Sequence, residues 1–231
     1  MRTLGLVGGT GWVSTLEYYR IINREVNRRL GGLNAARLVL ASLNYEDVHR
    51  LNARADHEGV ARLLCDAARA LEGAGAQALV LCANTTHLYC ESIGAAVHLP
   101  ILHIADATAA EIRAAGMDRV GLLGTRLTME MGFYRDRLRA AGIEPLTPDE
   151  GDRAFIEGAI KNEILKEVLS EKTRERFLEI VGGLVSRGAQ GVVLGCTEIP
   201  LLVRPQDTRV PLFDTLEIHA RAAARWALAS S

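Results

Sequence analysis

The 231-residue sequence has no bias of charge: 27 Lys and Arg stand against 28 Asp and Glu, a formal net charge of −1. No electrostatic footprint for nucleic acid or for an anionic membrane surface is present, so neither is expected as a partner. No apolar run approaches the roughly 20 residues that a bilayer-spanning helix requires. Residues 1–7 carry one charge and meet glycines at once, which reads as a first strand rather than a signal peptide. Cysteine is scarce, at four: Cys65, Cys82, Cys90 and Cys196. Without a secretory signal these are expected to be reduced thiols in a cytoplasmic protein, not a disulfide framework. No low-complexity linker divides the chain, so its parts are expected to pack closely.

What is present is a doubled pattern. Gly75-Ala76-Gln77-Ala78-Leu79-Val80-Leu81-Cys82 is followed by Ala83-Asn84-Thr85-Thr86-His87. Gly188-Ala189-Gln190-Gly191-Val192-Val193-Leu194-Gly195-Cys196 is followed by Thr197-Glu198. Each is an apolar run of strand length that ends on a cysteine and small polar residues. Other echoes keep a similar spacing. Val120-Gly121-Leu122-Leu123-Gly124-Thr125 repeats the character of residues 4–10, and Pro211-Leu212-Phe213-Asp214 that of Pro100-Ile101-Leu102-His103. Strand-like and helix-like segments alternate throughout, which predicts α/β lobes with parallel sheets. Continuous apolar runs are what parallel strands buried on both faces look like.

The expected architecture is two similar lobes, each a parallel sheet flanked by helices, related by a pseudo-two-fold axis. The first lobe is placed at 1–104 and the second at 105–213, and the sequence hints that the last helix, 214–231, packs back on the first. Ser14-x-x-Glu17 and Thr108-x-x-Glu111 are read as capping boxes. The first helix shows apolar positions at Leu16, Tyr19, Ile22 and Val26. A later one shows a core stripe at 60, 63, 64, 67, 68 and 71. Helices are expected over 84–96 and 155–169.

In parallel α/β sheets ligands sit beyond the carboxyl ends of the strands, where both Cys82 and Cys196 fall. Each precedes a helix start, with Asn84 or Thr85 and Thr197 or Glu198 as candidate caps and Pro200 in the second helix's first turn. A helix N-terminus favours thiolate over thiol and can hold a carboxylate. Two such thiols on either side of one carbon form a two-base racemase: one thiolate removes the Cα proton and the other thiol delivers one to the opposite face. An acid and a base of similar pKa can exchange these roles near neutral pH without a cofactor.

At these residues the sequence resembles the aspartate/glutamate racemase family of cofactor-independent amino-acid racemases. Cys82-Ala83-Asn84-Thr85 resembles the family's first Cys-x-Asn-Thr motif and Gly195-Cys196-Thr197-Glu198 its second. Gly8-Gly9-Thr10-Gly11-Trp12-Val13-Ser14-Thr15 is similar to its N-terminal loop, and Leu122-Leu123-Gly124-Thr125 to the second lobe's entry. The resemblance implies that Cys82 and Cys196 are the bases. It further implies that Asn84, Thr85, Thr125 and Thr197 hold the substrate's amino and carboxylate groups, that Thr10 and Trp12 line the pocket, and that Glu198 sits beside the second cysteine. It implies an amino-acid substrate, no cofactor, and a homodimer. Some aspartate-selective members carry an arginine in the loop after the second strand. Here that loop is Asn44-Tyr45-Glu46-Asp47, with Arg50 further on. Some members also use a lysine in the second lobe, where Lys161 and Lys166 are the candidates.

Other readings compete. A related isomerase or decarboxylase of a small carboxylic acid would suit the same architecture. An NAD(P)-dependent reductase is suggested by Gly8-x-x-Gly11 after a first strand, but Ser14 stands where the third glycine would be and the second cysteine is left unexplained. A non-enzymatic ligand binder leaves both thiols unexplained. Cys82-x4-His87-x2-Cys90 lacks the ligand count and spacing of a zinc site. His87 is read as a helix-face residue, and His103 and His219 as structural.

Overall fold

The computed structural model describes residues 1–166 and 168–229. The first unit comprises Met1–Ile104 together with the chain from His219 onward, and the second comprises Ala105–Ile218. Each holds one four-stranded parallel sheet.

The first unit contains β1 (Leu4–Gly8), α1 (Trp12–Leu30), β2 (Leu38–Ser42), α2 (Tyr45–Ala53), α3 (His57–Gly73), β3 (Ala78–Leu81), a 3₁₀ turn (Thr85–Tyr89), α4 (Cys90–Ala96) and β4 (Ile101–Leu102). Its strand order is β2-β1-β3-β4. The central strands β1 and β3 are wholly buried. That accounts for their uninterrupted runs of Leu, Val, Ala and Gly. The edge strand β2 is partly exposed. On one face α3 presents Val60, Leu64, Ala67, Ala68 and Leu71 to the core, close to the stripe read from its periodicity.

The second unit opens with α5 (Ile104–Ala114), whose first residue belongs to the first unit. It continues with β5 (Arg119–Gly124), α6 (Arg126–Glu130), α7 (Gly132–Ala140), β6 (Glu144–Leu146), α8 (Glu150–Asn162), a 3₁₀ turn (Ile164–Lys166), α9 (Glu171–Ser186), β7 (Gly191–Gly195), α10 (Ile199–Leu202), a 3₁₀ turn (Pro205–Asp207) and β8 (Leu212–Asp214). Its strand order, β6-β5-β7-β8, repeats that of the first sheet. Phe177, Ile180, Val181 and Leu184 of α9 pack with Leu123, Val192 and Leu194. The last helix, α11 (Thr215–Leu228), begins in the second unit and finishes in the first. Residues 230 and 231 of the segment expected to pack back, and residue 167 of the helix expected over 155–169, lie outside the described residues. That expected helix ends early, at Asn162.

Two local expectations fail, for one reason. Gly11, at φ 129°, starts α1 at Trp12 without a side-chain cap, so Ser14 and Thr15 are buried inside the first turns. Thr108 is likewise a fully buried residue within α5, not its cap. In both cases the hydroxyl sits on the inward face, where packing decides its place. The inward line of α1 is Tyr18, Ile22 and Val26, which leaves Leu16 and Tyr19 more than half exposed.

Candidate active site

In both sheets the strand order reverses between the two central strands: β1 and β3 in the first, β5 and β7 in the second. The loops leaving the carboxyl ends of such a pair diverge and open a crevice. All the candidate site residues lie on those loops or one residue into the helices beyond them.

In the first unit, β1 runs into Gly8-Gly9-Thr10-Gly11. Gly9 has φ +82°, and a Cβ there would stand 2.0 Å from the Leu43 carbonyl oxygen, so only glycine fits. Thr15 closes the loop: its Oγ1 accepts from the Gly9 N–H at 3.0 Å and donates to the Gly11 carbonyl at 3.2 Å. Thr10 Oγ1 is buried and has no hydrogen-bond partner among the described residues. Trp12 opens α1 and is 66% exposed.

Cys82 follows β3 directly. Its N–H donates to the Val7 carbonyl at 2.9 Å, which ties it to the end of β1. The residue is 1% exposed, and its sulfur faces the Val80 carbonyl at 3.8 Å. Burial pushes the thiol pKa up. Asn84 is buried in a helical conformation and makes no side-chain capping bond to the 3₁₀ turn that follows. Thr85 is half-buried.

In the second unit the ends of β5 and β7 touch. A Cβ on Gly124 would meet the Gly195 carbonyl at 2.8 Å, and one on Gly195 would meet the Leu123 carbonyl at 2.7 Å. Thr125 follows β5 and caps α6, its hydroxyl 3.2 Å from that of Thr128. Cys196 follows β7 and is 7% exposed. Its Sγ–H donates to Glu198 Oε2 at 3.1 Å, and the Thr197 hydroxyl donates to the same oxygen at 2.7 Å. Burial is the main cause that raises the Cys196 pKa well above the ordinary thiol value, and the charge of Glu198 adds to it.

The expected stabilisation of thiolate by a helix N-terminus is therefore not what the structure has. A 3₁₀ turn follows Cys82, and the four-residue α10 follows Cys196. Neither carries the dipole of a full helix, and desolvation of the sulfur prevails.

The first unit thus gathers Thr10, Cys82, Asn84 and Thr85 on adjacent loops, and the second gathers Thr125, Cys196, Thr197 and Glu198. Sequence reasoning missed Glu157 of α8. Its carboxylate accepts from the Arg126 N–H at 2.7 Å, pairs with Lys161 at 2.7 Å, and adds to the rise of the Cys196 pKa. No local motif marks it. Arg50 pairs with Asp47 on the exposed face of α2, and Lys166 is exposed. His87 lies within the 3₁₀ turn after Cys82 and is buried. Among the described residues no cluster of three His, Cys, Asp or Glu side chains is disposed to hold a metal ion.

A family model for Asp/Glu/Hydantoin racemase matches residues 7–223. One relative is the broad specificity amino-acid racemase RacX of Bacillus subtilis (strain 168), 27% identical over 177 residues that make up 75% of each chain. A crystal structure from Yersinia pestis, described as a candidate Asp/Glu racemase, superposes with a TM-score of 0.94 at 48% identity, covering 99% of this chain and 100% of that one. An aspartate racemase homologue from Pyrococcus horikoshii OT3 superposes with a TM-score of 0.84 at 34% identity, covering 98% and 99%.

Proposed function

The chain belongs to the Asp/Glu/Hydantoin racemase family, and from that membership we propose that it inverts an amino acid at Cα, without a cofactor, through Cys82 and Cys196 as paired bases. The observation that carries this reading is the equivalence of the two sulfurs. Each follows the second central strand of an identically ordered sheet, at the strand-order reversal, and each is buried.

In one direction a thiolate takes the Cα proton and becomes a thiol. The electron pair left on Cα spreads into the substrate carboxylate, and the second thiol protonates the opposite face and becomes a thiolate. The reverse direction exchanges the roles, so no group is consumed. Burial disfavours the thiolate at both cysteines. The α-ammonium of a bound amino acid supplies the positive charge that favours one thiolate. A thiolate of raised pKa is also the stronger base, which narrows the gap to the weakly acidic Cα–H.

Thr10 Oγ1, buried and without a hydrogen-bond partner among the described residues, is suited to donate to the substrate carboxylate, with Asn84, Thr85, Thr125 and Thr197 completing the binding of the carboxylate and ammonium. Glu198 stands beside the second base. The loop after β2, Asn44-Tyr45-Glu46-Asp47, holds no arginine of the kind that some aspartate-selective members carry there. This favours a range of amino-acid side chains over aspartate alone.

The test is deuterium exchange at Cα in D₂O, across panels of L- and D-amino acids with no cofactor added. Exchange and racemisation are expected for the wild type. Cys82→Ser and Cys196→Ser are each expected to lose racemisation by roughly 10²–10⁴-fold, the scale of a displaced acid or base. Full activity in either variant, or turnover that requires NADPH, overturns the reading.

A further inference from the structure

Three histidines, His87, His103 and His219, are buried together in the first unit. The His87 ring lies 4.6 Å from that of His103 and 5.5 Å from that of His219, both edge-on. The hydrogen bonds fix the state of two of them. His87 Nδ1 stands 2.9 Å from the Ala83 carbonyl, which can only accept, so Nδ1 carries the proton. His87 Nε2 accepts the Ile104 N–H at 3.2 Å. His219 Nε2 lies 2.7 Å from the Leu102 carbonyl and is therefore protonated there, leaving Nδ1 to accept from the Tyr18 hydroxyl at 2.8 Å. The two rings are thus opposite tautomers, and all four nitrogens are engaged. A metal centre would need free lone pairs that these rings do not have.

These bonds converge on two short segments. The Ala83 carbonyl receives His87 Nδ1–H and the Thr86 hydroxyl, at 2.7 Å, so both of its lone pairs are used. Ala83 is the residue between Cys82 and Asn84. On the other side, Leu102 and Ile104 flank His103 where β4 passes into α5. His219 grips the first and His87 the second.

We propose that His87 is a positioning residue for Cys82: as the neutral Nδ1–H tautomer it clamps the Ala83 peptide and anchors the Cys82–Asn84 segment to the end of β4. This rests on the reading of Cys82 as a base. A thiol that must reach a Cα proton tolerates little displacement, since a shift of about 1 Å can cost 10²-fold in rate. Burial, with the neighbouring His103 and His219, holds His87 neutral as the clamp requires.

Three readouts test it. Long-range ¹H–¹⁵N correlation on histidine-labelled protein is expected to find His87 as the Nδ1–H tautomer and His219 as Nε2–H. Asparagine places an amide N–H where Nδ1–H stands, and phenylalanine keeps the ring without a donor. His87→Phe, verified as folded by circular dichroism, is expected to lower kcat for Cα exchange by roughly 10²-fold with KM little changed. It is also expected to speed alkylation of Cys82 by iodoacetamide, followed by peptide mass spectrometry. His87→Asn is expected to restore both toward the wild type. An Nε2–H tautomer at His87 overturns the proposal. So does a folded His87→Phe with wild-type exchange and alkylation, or a His87→Asn no better than His87→Phe. Should the wild type exchange no amino acid, the racemase reading fails, while the tautomer and the alkylation rates still decide the role of His87.

Discussion

At Cys196 the thiol proton points to the Glu198 carboxylate, while the Cys82 sulfur faces the Val80 carbonyl at 3.8 Å. Burial raises both pKa values, and the negative charge of Glu198 raises that of Cys196 further. Glu198→Gln removes that charge, so the alkylation profile of Cys196 against pH is expected to move to lower pH. The hydrogen bond that the carboxylate accepts from the thiol acts in the same sense, so a move to higher pH would contradict this role of Glu198. The histidines carry a second pH dependence. An unfolded histidine takes a proton near pH 6.5, whereas burial lowers the folded His219 pKa to about 4. Between those values protons bind the unfolded chain and not the folded one. Stability is therefore expected to fall as pH drops from about 6.5 to about 4, by roughly 3 kcal/mol from this group. His87 and Tyr18 are titratable groups that face it, and His87, whose pKa is also lowered by burial, acts in the same sense. His219→Gln keeps a donor for the Leu102 carbonyl but cannot titrate. Urea midpoints measured across this range should fall less steeply in that variant, and an unchanged slope would assign the acid limb elsewhere.

At the scale of elements, the glycine turn after β1 is the most constrained feature. Gly9→Ala must adopt φ +82° and displace the Leu43 carbonyl. Backbone strain alone costs on the order of 1–3 kcal/mol. A urea midpoint well below wild type and loss of exchange activity are expected, and a neutral effect would mean that this turn can rearrange. The central strands and α3 were legible in the sequence because burial on both faces, or along one stripe, leaves a direct imprint on residue type. The two cysteines were legible because each interrupts such a run at its end. The helix starts were less so. Ser14 and Thr108 follow a capping pattern but lie inside helices that begin earlier. The helix expected over 84–96 opens as a 3₁₀ turn before α4, and the one after Cys196 has only four residues. The histidine network left no local trace, since the Tyr18–His219 bond spans 201 positions and the His219–Leu102 bond 117.

At the scale of the whole molecule, the chain builds the same strand order twice and ends the same strand of each sheet on a buried thiol. A reaction run in either direction by two interchangeable groups asks for such a repeated plan. Among the differences between the two environments is Asn84 against Glu198 two residues beyond the cysteine, and Glu198 is a source of asymmetry between the two proposed bases. The most direct measurement follows early racemisation in D₂O from a single enantiomer and reads Cα deuterium separately in product and in recovered substrate. Two bases predict product that carries deuterium from the first turnovers while recovered substrate retains its proton, starting from either enantiomer. Deuterium entering recovered substrate as fast as product forms would mean that a single base serves both faces, and would contradict the account.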